Sequence, residues 1–564
     1  METKDKHIVI GGEAGQGLVT IGQMLTKALA RSGYEVLVAQ HYMSRVRGGH
    51  NTYRIRTGNG EIVSPVDGID ILVALDQETV SRHKANMTES GIVILDETLD
   101  PEGLKAVRVP FKELAPRPIY QNIAGLAVVA ELLGIGQEVL QKLIRNTFRR
   151  KGDEVVTQNL TVLDEACRWT EAHKSSCTPL PPAEGDSGRM VIHGNEAIAL
   201  GALAAGVKCC FFYPMTPATS VAQNLITYAE RMQLIVEQAE DEVAALNMGL
   251  GSVYAGAKTL VPTSGGGFAL MTEAVSLAGV MESPIVIVLA QRPGPATGLP
   301  TRTEQADLNL ALYAGHGEFP RAIYAPATVE DCFELTYRSF DVTERFQTPV
   351  FVLTDQYLAD SYRAVHKFDL AALAPVAEPD TGNEGDRSYK RYAFTEDGVS
   401  PRKLPGFSEA LVLADCHEHT EDGHITESMD VRVAMNDKRM RKEQGMRAET
   451  LAPRYFGDEG ASRILVCWGS TEGPAREAAA RMRRKGARVG VLSFTQVWPL
   501  APESFMPLLE NAEEVIGIEG NATAQFMKLI RQETGFKVHR TVLRYDGRPF
   551  TPRYILQNLG EEEG

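Results

Sequence analysis

The sequence predicts an α/β protein of three doubly wound, parallel-sheet units. Two observations carry this. A short apolar run, a glycine-bearing turn and an amphipathic segment follow one another, and that order restarts near residues 7, 209 and 463. The 564-residue length, with 43% hydrophobic residues, also suits several cores of ordinary size better than one.

The first unit, residues 1–175, opens with His7–Ile10 and the turn Gly11–Gly17. Leu18, Ile21, Leu25, Leu29 and Ala30 then recur at helical spacing. Further strands are expected at Glu35–Ala39, Ile69–Ala74 and Gly91–Asp96, and helices over 121–150 and 157–173. A Ser/Pro/Gly-rich stretch over 176–190 reads as a linker.

The middle unit, 191–365, predicts strands at Cys209–Tyr213, Leu234–Gln238, Thr259–Pro262, Pro284–Ala290, Ala322–Tyr324 and Pro349–Thr354. Residues 366–457 are polar, charge-rich and punctuated by Pro and Gly. That stretch is too long for an ordinary loop and reads as an ordered excursion over the surface or a partner. The last unit, 458–564, restarts with Arg463–Trp468, a Gly469–Gly473 turn and a helix through Arg483. Strands at Arg488–Phe494, Glu514–Ile518 and Val538–Tyr545 follow.

Charge and cysteine content exclude several classes. Fifty-eight basic against 73 acidic residues leave a net charge of −15, which disfavours a nucleic-acid-coating or anionic-membrane surface. No apolar run approaches a membrane span, and Met1–Lys6 has no apolar signal core, so a soluble, cytoplasmic chain is expected. The 7 cysteines are scattered and form no C-x-x-C pair. A disulfide framework, a zinc site or an iron–sulfur cluster within this chain is therefore not expected. Cys209-Cys210 lies in an apolar run and reads as buried packing.

In open parallel sheets, ligands bind outside the carboxyl ends of the strands. Four segments of the middle unit stand there. Tyr213-Pro-Met-Thr-Pro-Ala-Thr-Ser220 can fix the Thr216 hydroxyl toward a ligand, or be a helix start with a Thr or Ser cap. Glu237-Gln-Ala-Glu-Asp-Glu242 leads into the helix Val243–Tyr254; acids in a first helical turn often do no more than complement the macrodipole. Thr263-Ser-Gly-Gly-Gly267 suits either close ligand approach or tight chain packing. Arg292, in a Pro- and Gly-shaped loop reaching Thr301, suits a bidentate carboxylate contact.

Individually weak, these segments in this order resemble the pyrimidine-binding domain of the 2-oxoacid:ferredoxin oxidoreductases. Those are thiamine-diphosphate enzymes that oxidatively decarboxylate 2-oxoacids onto coenzyme A. The first unit resembles the family's γ subunit through Gly12-Glu-Ala-Gly-Gln-Gly17 and Ser44-Arg-Val-Arg-Gly-Gly49. The last resembles its transketolase-C-terminal-type domain through Trp498-Pro-Leu500 and Glu519-Gly-Asn521. The likeness thus spans nearly the whole chain, as a fused γ–α subunit, and is nearest to the 2-oxoglutarate branch.

The resemblance implies roles. Glu242 would share a proton with the aminopyrimidine N1′ of thiamine diphosphate, with Tyr213, Pro214 and Thr216 also at the cofactor. Thr216 would touch substrate or cofactor, and Arg292 with Thr301 would orient the 1-carboxylate of the 2-oxoacid. Ser44, Arg45 and Arg47 would reach the distal carboxylate of 2-oxoglutarate, a solvated basic loop being the plain alternative. The γ-like unit would help bind coenzyme A, with Gly15 and Gly17 in its turn; no well-placed acid supports NAD binding there.

No Gly-Asp-Gly motif with a following asparagine occurs, so the resemblance assigns the diphosphate and Mg²⁺ to a β subunit, which would also carry a [4Fe–4S] cluster. An (αβ)₂ heterotetramer passing electrons to ferredoxin is the implied assembly. Pyruvate or branched-chain 2-oxoacids are the alternative substrates, and a non-catalytic scaffold or a coenzyme-A-binding subunit the alternative roles. His417, His419 and His424 in the excursion read as inter-subunit hydrogen-bonding groups rather than metal ligands.

Overall fold

The computed structural model describes residues 5–44, 49–115, 117–173, 177–183, 188–382 and 386–561. The chain divides into two compact units. One comprises Met1–Ile192 with Ser361–Phe368 and Thr551–Arg553; the other comprises His193–Asp360, Asp369–Phe550 and Tyr554–Gly564. Three mostly parallel sheets run through them, the second and third both inside the second unit.

The sheet of the first unit has 8 strands, in the order Ala106–Val109, Met87–Asp96, Ile69–Ala74, Lys6–Glu13, His50–Gly58, Glu35–His41, Tyr362–Val365, Met190–His193. Its first four strands are parallel. The sequence reading missed His50–Gly58, which runs antiparallel to both Lys6–Glu13 and Glu35–His41. This half of the sheet is therefore not doubly wound. The strand was hidden because Arg54 and Arg56 interrupt its apolar residues; Arg56 is nevertheless buried, its Nε donating to Asp5 at 2.5 Å and its Nη1 to the Ser64 carbonyl at 2.9 Å.

In the second unit, a 7-stranded sheet has the order Gln496–Trp498, Ala322–Tyr324, Val350–Asp355, Val286–Gln291, Thr259–Thr263, Cys209–Phe212, Ile235–Gln238. Its pairings are parallel apart from that of Gln496–Trp498. The 5-stranded sheet has the order Arg454–Phe456, Val489–Phe494, Arg463–Trp468, Glu514–Glu519, Arg540–Leu543. The two sheets share one apolar core, in which Val261, Ile287 and Phe351 join Trp468, Phe494 and Phe526. Phe494 and Phe526 meet edge to face at 4.9 Å.

The excursion is ordered and contains a helix, Met429–Ala448, that the sequence reading did not anticipate. It shows no continuous apolar stripe because charged groups alternate with Met435 and Met446 on its buried side: Lys438 and Lys442, both essentially buried, converge on the carboxylate of buried Glu282. Arg391 adds hydrogen bonds to the carbonyls of Met281 and Glu282. Ion pairing docks the middle of this helix, and near its end Met446 joins the apolar cluster of Tyr324, Phe346 and Val350. Among the described residues no helix is long and apolar enough to cross a membrane.

Candidate active site

The parallel strands of the 7-stranded sheet deliver the expected segments to one edge. Three residues separate strand Ile235–Gln238 from the helix Glu242–Tyr254. Asp241 is its cap, accepting from the Ala244 amide at 2.7 Å. Glu242 itself is only 5% exposed, and its carboxyl group has no hydrogen-bond or ion-pair partner among the described residues. An acid serving only the helix dipole would sit in water. This one sits against helix Gly265–Met281, where a β-carbon on Gly267 would lie 2.9 Å from Glu242 Oε1 and 2.5 Å from Thr263 Oγ1. The glycine run therefore makes room for the carboxyl group.

The turn at 213–220 is not a capped helix start: helix Thr219–Met232 has Ala218 at its N-cap and no side-chain cap. Instead Asn195 Nδ2 holds it, donating to the Pro217 carbonyl and to Ser220 Oγ, both at 2.8 Å. The turn presents the Thr216 carbonyl to Arg292, whose Nη1 donates at 2.6 Å. Tyr213 is 38% exposed and Pro214 is also exposed.

Arg292 is half-buried, and its Nε is buried without a partner. Burial lowers its pKa, and the nearby Asp307 carboxylate works the other way. The loop bends back at Gly298, where φ is +53° and a β-carbon would overlap the Pro293 carbonyl. Thr301, on the same loop, is buried.

The sequence reading stopped at Thr301 and missed two carboxylates just beyond it, Glu304 and Asp307. Burial raises the Asp307 pKa to about 6 while Arg292 pulls it back, and burial together with Asp307 pushes Glu304 to about 7. Asp307 Oδ2 is buried without a partner and lies against Gly265, which has no room for a β-carbon. Two acids separated by two residues beside an arginine-bearing loop are a signal the sequence did contain.

The segment is clamped from the 5-stranded sheet. Gln305 donates through Nε2 to the Trp468 carbonyl at 2.9 Å, its Oε1 accepts from the Gly520 amide at 2.8 Å, and its carbonyl accepts from Asn521 Nδ2 at 3.0 Å. Buried Glu519 accepts from the Phe526 and Met527 amides and from Asn521. Glu519-Gly-Asn521 is thus a clamp on the loop carrying Glu304 and Asp307. Trp498, of the other motif, lies on the strand that joins the 7-stranded sheet.

In the first unit, a cavity of about 610 Å³ opens beyond the carboxyl ends of strands Lys6–Glu13, Ile69–Ala74 and Met87–Asp96. Gly15, Gln16, Asp96, Thr98, Lys112 and Asn122 are among its walls. Gly15 has a φ of +99°, which favours glycine. Gly17 is not one of the walls; it is the left-handed N-cap of helix Leu18–Arg31, packed against the Asn122 amide. Ser44 is exposed, and Arg45 and Arg47 lie outside the described residues.

The excursion's histidines divide. His419 is fully buried within this chain, its ring 3.8 Å from that of Tyr392 and its Nδ1 3.0 Å from the His417 carbonyl. It is therefore not available to a neighbouring subunit, contrary to the sequence reading. His417 and His424 are exposed and face Asp415 and Asp422.

Comparisons with known proteins cover nearly the whole chain. Residues 200–438 match the family model of the pyruvate flavodoxin/ferredoxin oxidoreductase thiamine-diphosphate-binding domain, 7–169 that of pyruvate ferredoxin/flavodoxin oxidoreductase, and 461–555 that of pyruvate:ferredoxin oxidoreductase core domain II. The alpha subunit of a 2-oxoacid:ferredoxin oxidoreductase from Sulfolobus sp is 30% identical over 96% of this chain and 94% of that one. The 2-oxoglutarate oxidoreductase subunit KorA of Mycobacterium tuberculosis is 27% identical over 92% and 86%. Among solved structures, the 2-oxoglutarate:ferredoxin oxidoreductase of Magnetococcus marinus, with 2-oxoglutarate, coenzyme A and succinyl-CoA bound, superposes with a TM-score of 0.93, 31% identity and 99% coverage of both chains.

Proposed function

The chain belongs to the 2-oxoacid:ferredoxin oxidoreductase family as an alpha subunit, and we propose that its substrate is 2-oxoglutarate, converted with coenzyme A to succinyl-CoA and CO₂ while two electrons pass to ferredoxin. The thiamine-diphosphate chemistry in this reading is carried by the partnerless carboxyl group of buried Glu242 in the clearance left by Gly267, and the choice of 2-oxoglutarate is supported by the likeness to the Magnetococcus marinus enzyme.

A carboxyl group so placed fits a ring nitrogen of thiamine diphosphate, for which the chain has the matching domain. When bound, that cofactor supplies the nucleophilic carbon and the electron sink for decarboxylation. Glu242 would hold and return the proton at the pyrimidine nitrogen, a task suited to a carboxyl group that no other side chain engages. Arg292, tethered by the Thr216 carbonyl, offers its remaining N–H groups to the 1-carboxylate, and Thr301 borders the same loop. Fixing that carboxylate orients the bond to be broken. Tyr213, Pro214 and Thr216 line the cofactor side in this reading.

A partner completes the site. Val243, Met248 and Leu270 are exposed on the two helices that hold Glu242 and Gly267, at 44%, 39% and 56%. An adjoining β subunit would cover this apolar face and bring the diphosphate-binding groups, Mg²⁺ and a [4Fe–4S] cluster, in an (αβ)₂ assembly. The cavity bordered by Gly15 is the region we assign to coenzyme A, and Ser44, Arg45 and Arg47 to the distal carboxylate.

The test is co-expression with the β partner and an anaerobic assay of coenzyme-A-dependent reduction of a low-potential acceptor. Turnover with 2-oxoglutarate well above that with pyruvate or branched-chain 2-oxoacids is expected. Preference for either of the others would overturn the substrate, and full turnover by Glu242→Gln would overturn the catalytic role.

A further inference from the structure

The segment that continues the Arg292 loop alternates: Thr301, Thr303 and Gln305 are buried, and Arg302, Glu304 and Ala306 between them are partly exposed. Two strand ends of the 7-stranded sheet hold it. Thr303 Oγ1 donates to Asp355 Oδ1 at 3.1 Å and accepts from the Tyr357 amide at 3.2 Å. The Asp307 amide donates to Gln291 Oε1 at 3.0 Å, and Gln291 Nε2 donates to the Thr354 carbonyl at 3.2 Å. Between these two anchors lies Gln305, which the 5-stranded sheet holds instead.

Every polar group of Gln305 is engaged there. Its backbone amide donates to the Gly520 carbonyl at 2.6 Å, its Oε1 accepts from the Gly520 amide at 2.8 Å, and its Nε2 donates to the Trp468 carbonyl at 2.9 Å. Its own carbonyl accepts from Asn521 Nδ2 at 3.0 Å. Two glycines shape the slot: a β-carbon on Gly520 would stand 3.1 Å from Oε1, and one on Gly469, where φ is +56°, 3.1 Å from Nε2. The slot asks for one neutral acceptor and one neutral donor at glutamine length. At its other end the same loop meets the helix that borders Glu242. The Ala296 carbonyl lies 3.6 Å from where a β-carbon on Gly266 would be, and the Asp307 carboxyl group packs on Gly265. Gly267, next in that helix, makes room for Glu242.

We propose that Gln305 is a positioning residue: its carboxamide, seated between Gly469 and Gly520, sets where Arg292 and Thr301 meet the 1-carboxylate of the 2-oxoacid. This rests on the reading of Arg292 as the carboxylate anchor. The 5-stranded sheet then serves as a template for the substrate loop and takes no part in the chemistry. A small displacement of the loop misaligns a contact whose strength depends on orientation. Coenzyme A, assigned to the first unit, is bound independently of this slot.

The experiment measures KM for 2-oxoglutarate and for coenzyme A in the assembled complex, as the ratio of variant to parent at each pH. Taking the ratio cancels the titration of the acids around the slot, which are Glu304 and Asp307 on its own segment, Asp355, and Glu519 beside Trp468 and Asn521. Gln305→Met keeps the length without donor or acceptor and should raise KM for 2-oxoglutarate about 10- to 100-fold at every pH. Gln305→Glu restores both groups only when protonated; ionised, it sets a second acceptor against the Trp468 carbonyl. Burial raises such a carboxyl group's pKa, so its KM should lie within about twofold of the parent's near pH 6 and approach that of Gln305→Met near pH 8.5. KM for coenzyme A should stay unchanged in both. A parent-like KM in Gln305→Met overturns the proposal. So does a Gln305→Glu enzyme no nearer the parent at low pH than Gln305→Met, or an equal rise in KM for coenzyme A, which marks a general structural loss. Arg292→Lys separates the two readings: unchanged KM there rejects the anchor itself, whereas weakened binding there with a parent-like Gln305→Met rejects only the positioning role.

Discussion

Gly267 faces Glu242 across a gap that has no room for one more carbon: a β-carbon at 267 would stand 2.8 Å from Glu242 Cγ and 2.9 Å from Oε1. The two are 25 residues apart in sequence and begin different helices. Glu242→Gln should reduce turnover by about 10²- to 10⁴-fold. Because the Glu242 carboxyl group makes no hydrogen bond or ion pair with the described residues, the variant's melting temperature should equal or exceed that of the parent. Gly267→Ala should cause a comparable loss of turnover by displacing the carboxyl group. Steady-state assays and thermal melts of the same preparations check both; normal turnover in Gly267→Ala would show that the clearance is unimportant.

Arg292→Lys removes the planar fork while retaining charge. Losing a charge-assisted hydrogen bond to the substrate should raise KM by about 10- to 100-fold, with a smaller effect on kcat. Initial rates against 2-oxoglutarate concentration measure the split.

Burial alone would push the Glu282 carboxyl up, but Lys442, Lys438 and Arg391 overcome it and hold the pKa down at about 2. A depressed carboxylate contributes stability that is present above its unfolded pKa, near 4.5, and is lost as pH falls toward 2. Glu282→Gln leaves two buried lysines facing an amide and should destabilise the second unit by about 3–5 kcal/mol at pH 7. The difference in melting temperature between variant and parent should shrink as pH is lowered from 5 toward 3. A constant difference across that range would contradict the assignment.

Thiol labelling offers a check on the packing. Cys416 is exposed and Cys177 partly so, while Cys167, Cys209, Cys210, Cys332 and Cys467 are buried. Burial pushes the Cys167 thiol up to about 12 and raises those of Cys210, Cys332 and Cys467 as well. A thiol reagent should therefore label Cys416 rapidly in the native protein, with the buried five reacting only on unfolding. Mass spectrometry of timed samples resolves the order.

Much of the fold was legible because parallel strands buried on both faces are written as short apolar runs. Ile69–Ala74 was located to the residue, and the strands that end at Gln238, Thr263 and Gln291 to within one or two. The elements that were missed take their stability from distant partners. His50–Gly58 is interrupted by arginines, and Gln496–Trp498 is a three-residue strand that pairs with Ala322–Tyr324. Met429–Ala448 buries lysines on a glutamate about 150 residues away, as in the Lys438–Glu282 pair. A local pattern has no means of recording such pairings.

By itself the sequence determined the family-like order of turns, the glycine run, and the candidates Thr216, Glu242 and Arg292, because strand ends and turn residues are local features. Only the tertiary structure decided that Gly267 makes room for Glu242, that the Thr216 carbonyl rather than its hydroxyl meets Arg292, and that Asp307 packs against Gly265. Burial and electrostatic coupling depend on which segments the sheets bring to one edge, and that is fixed by packing across the whole unit.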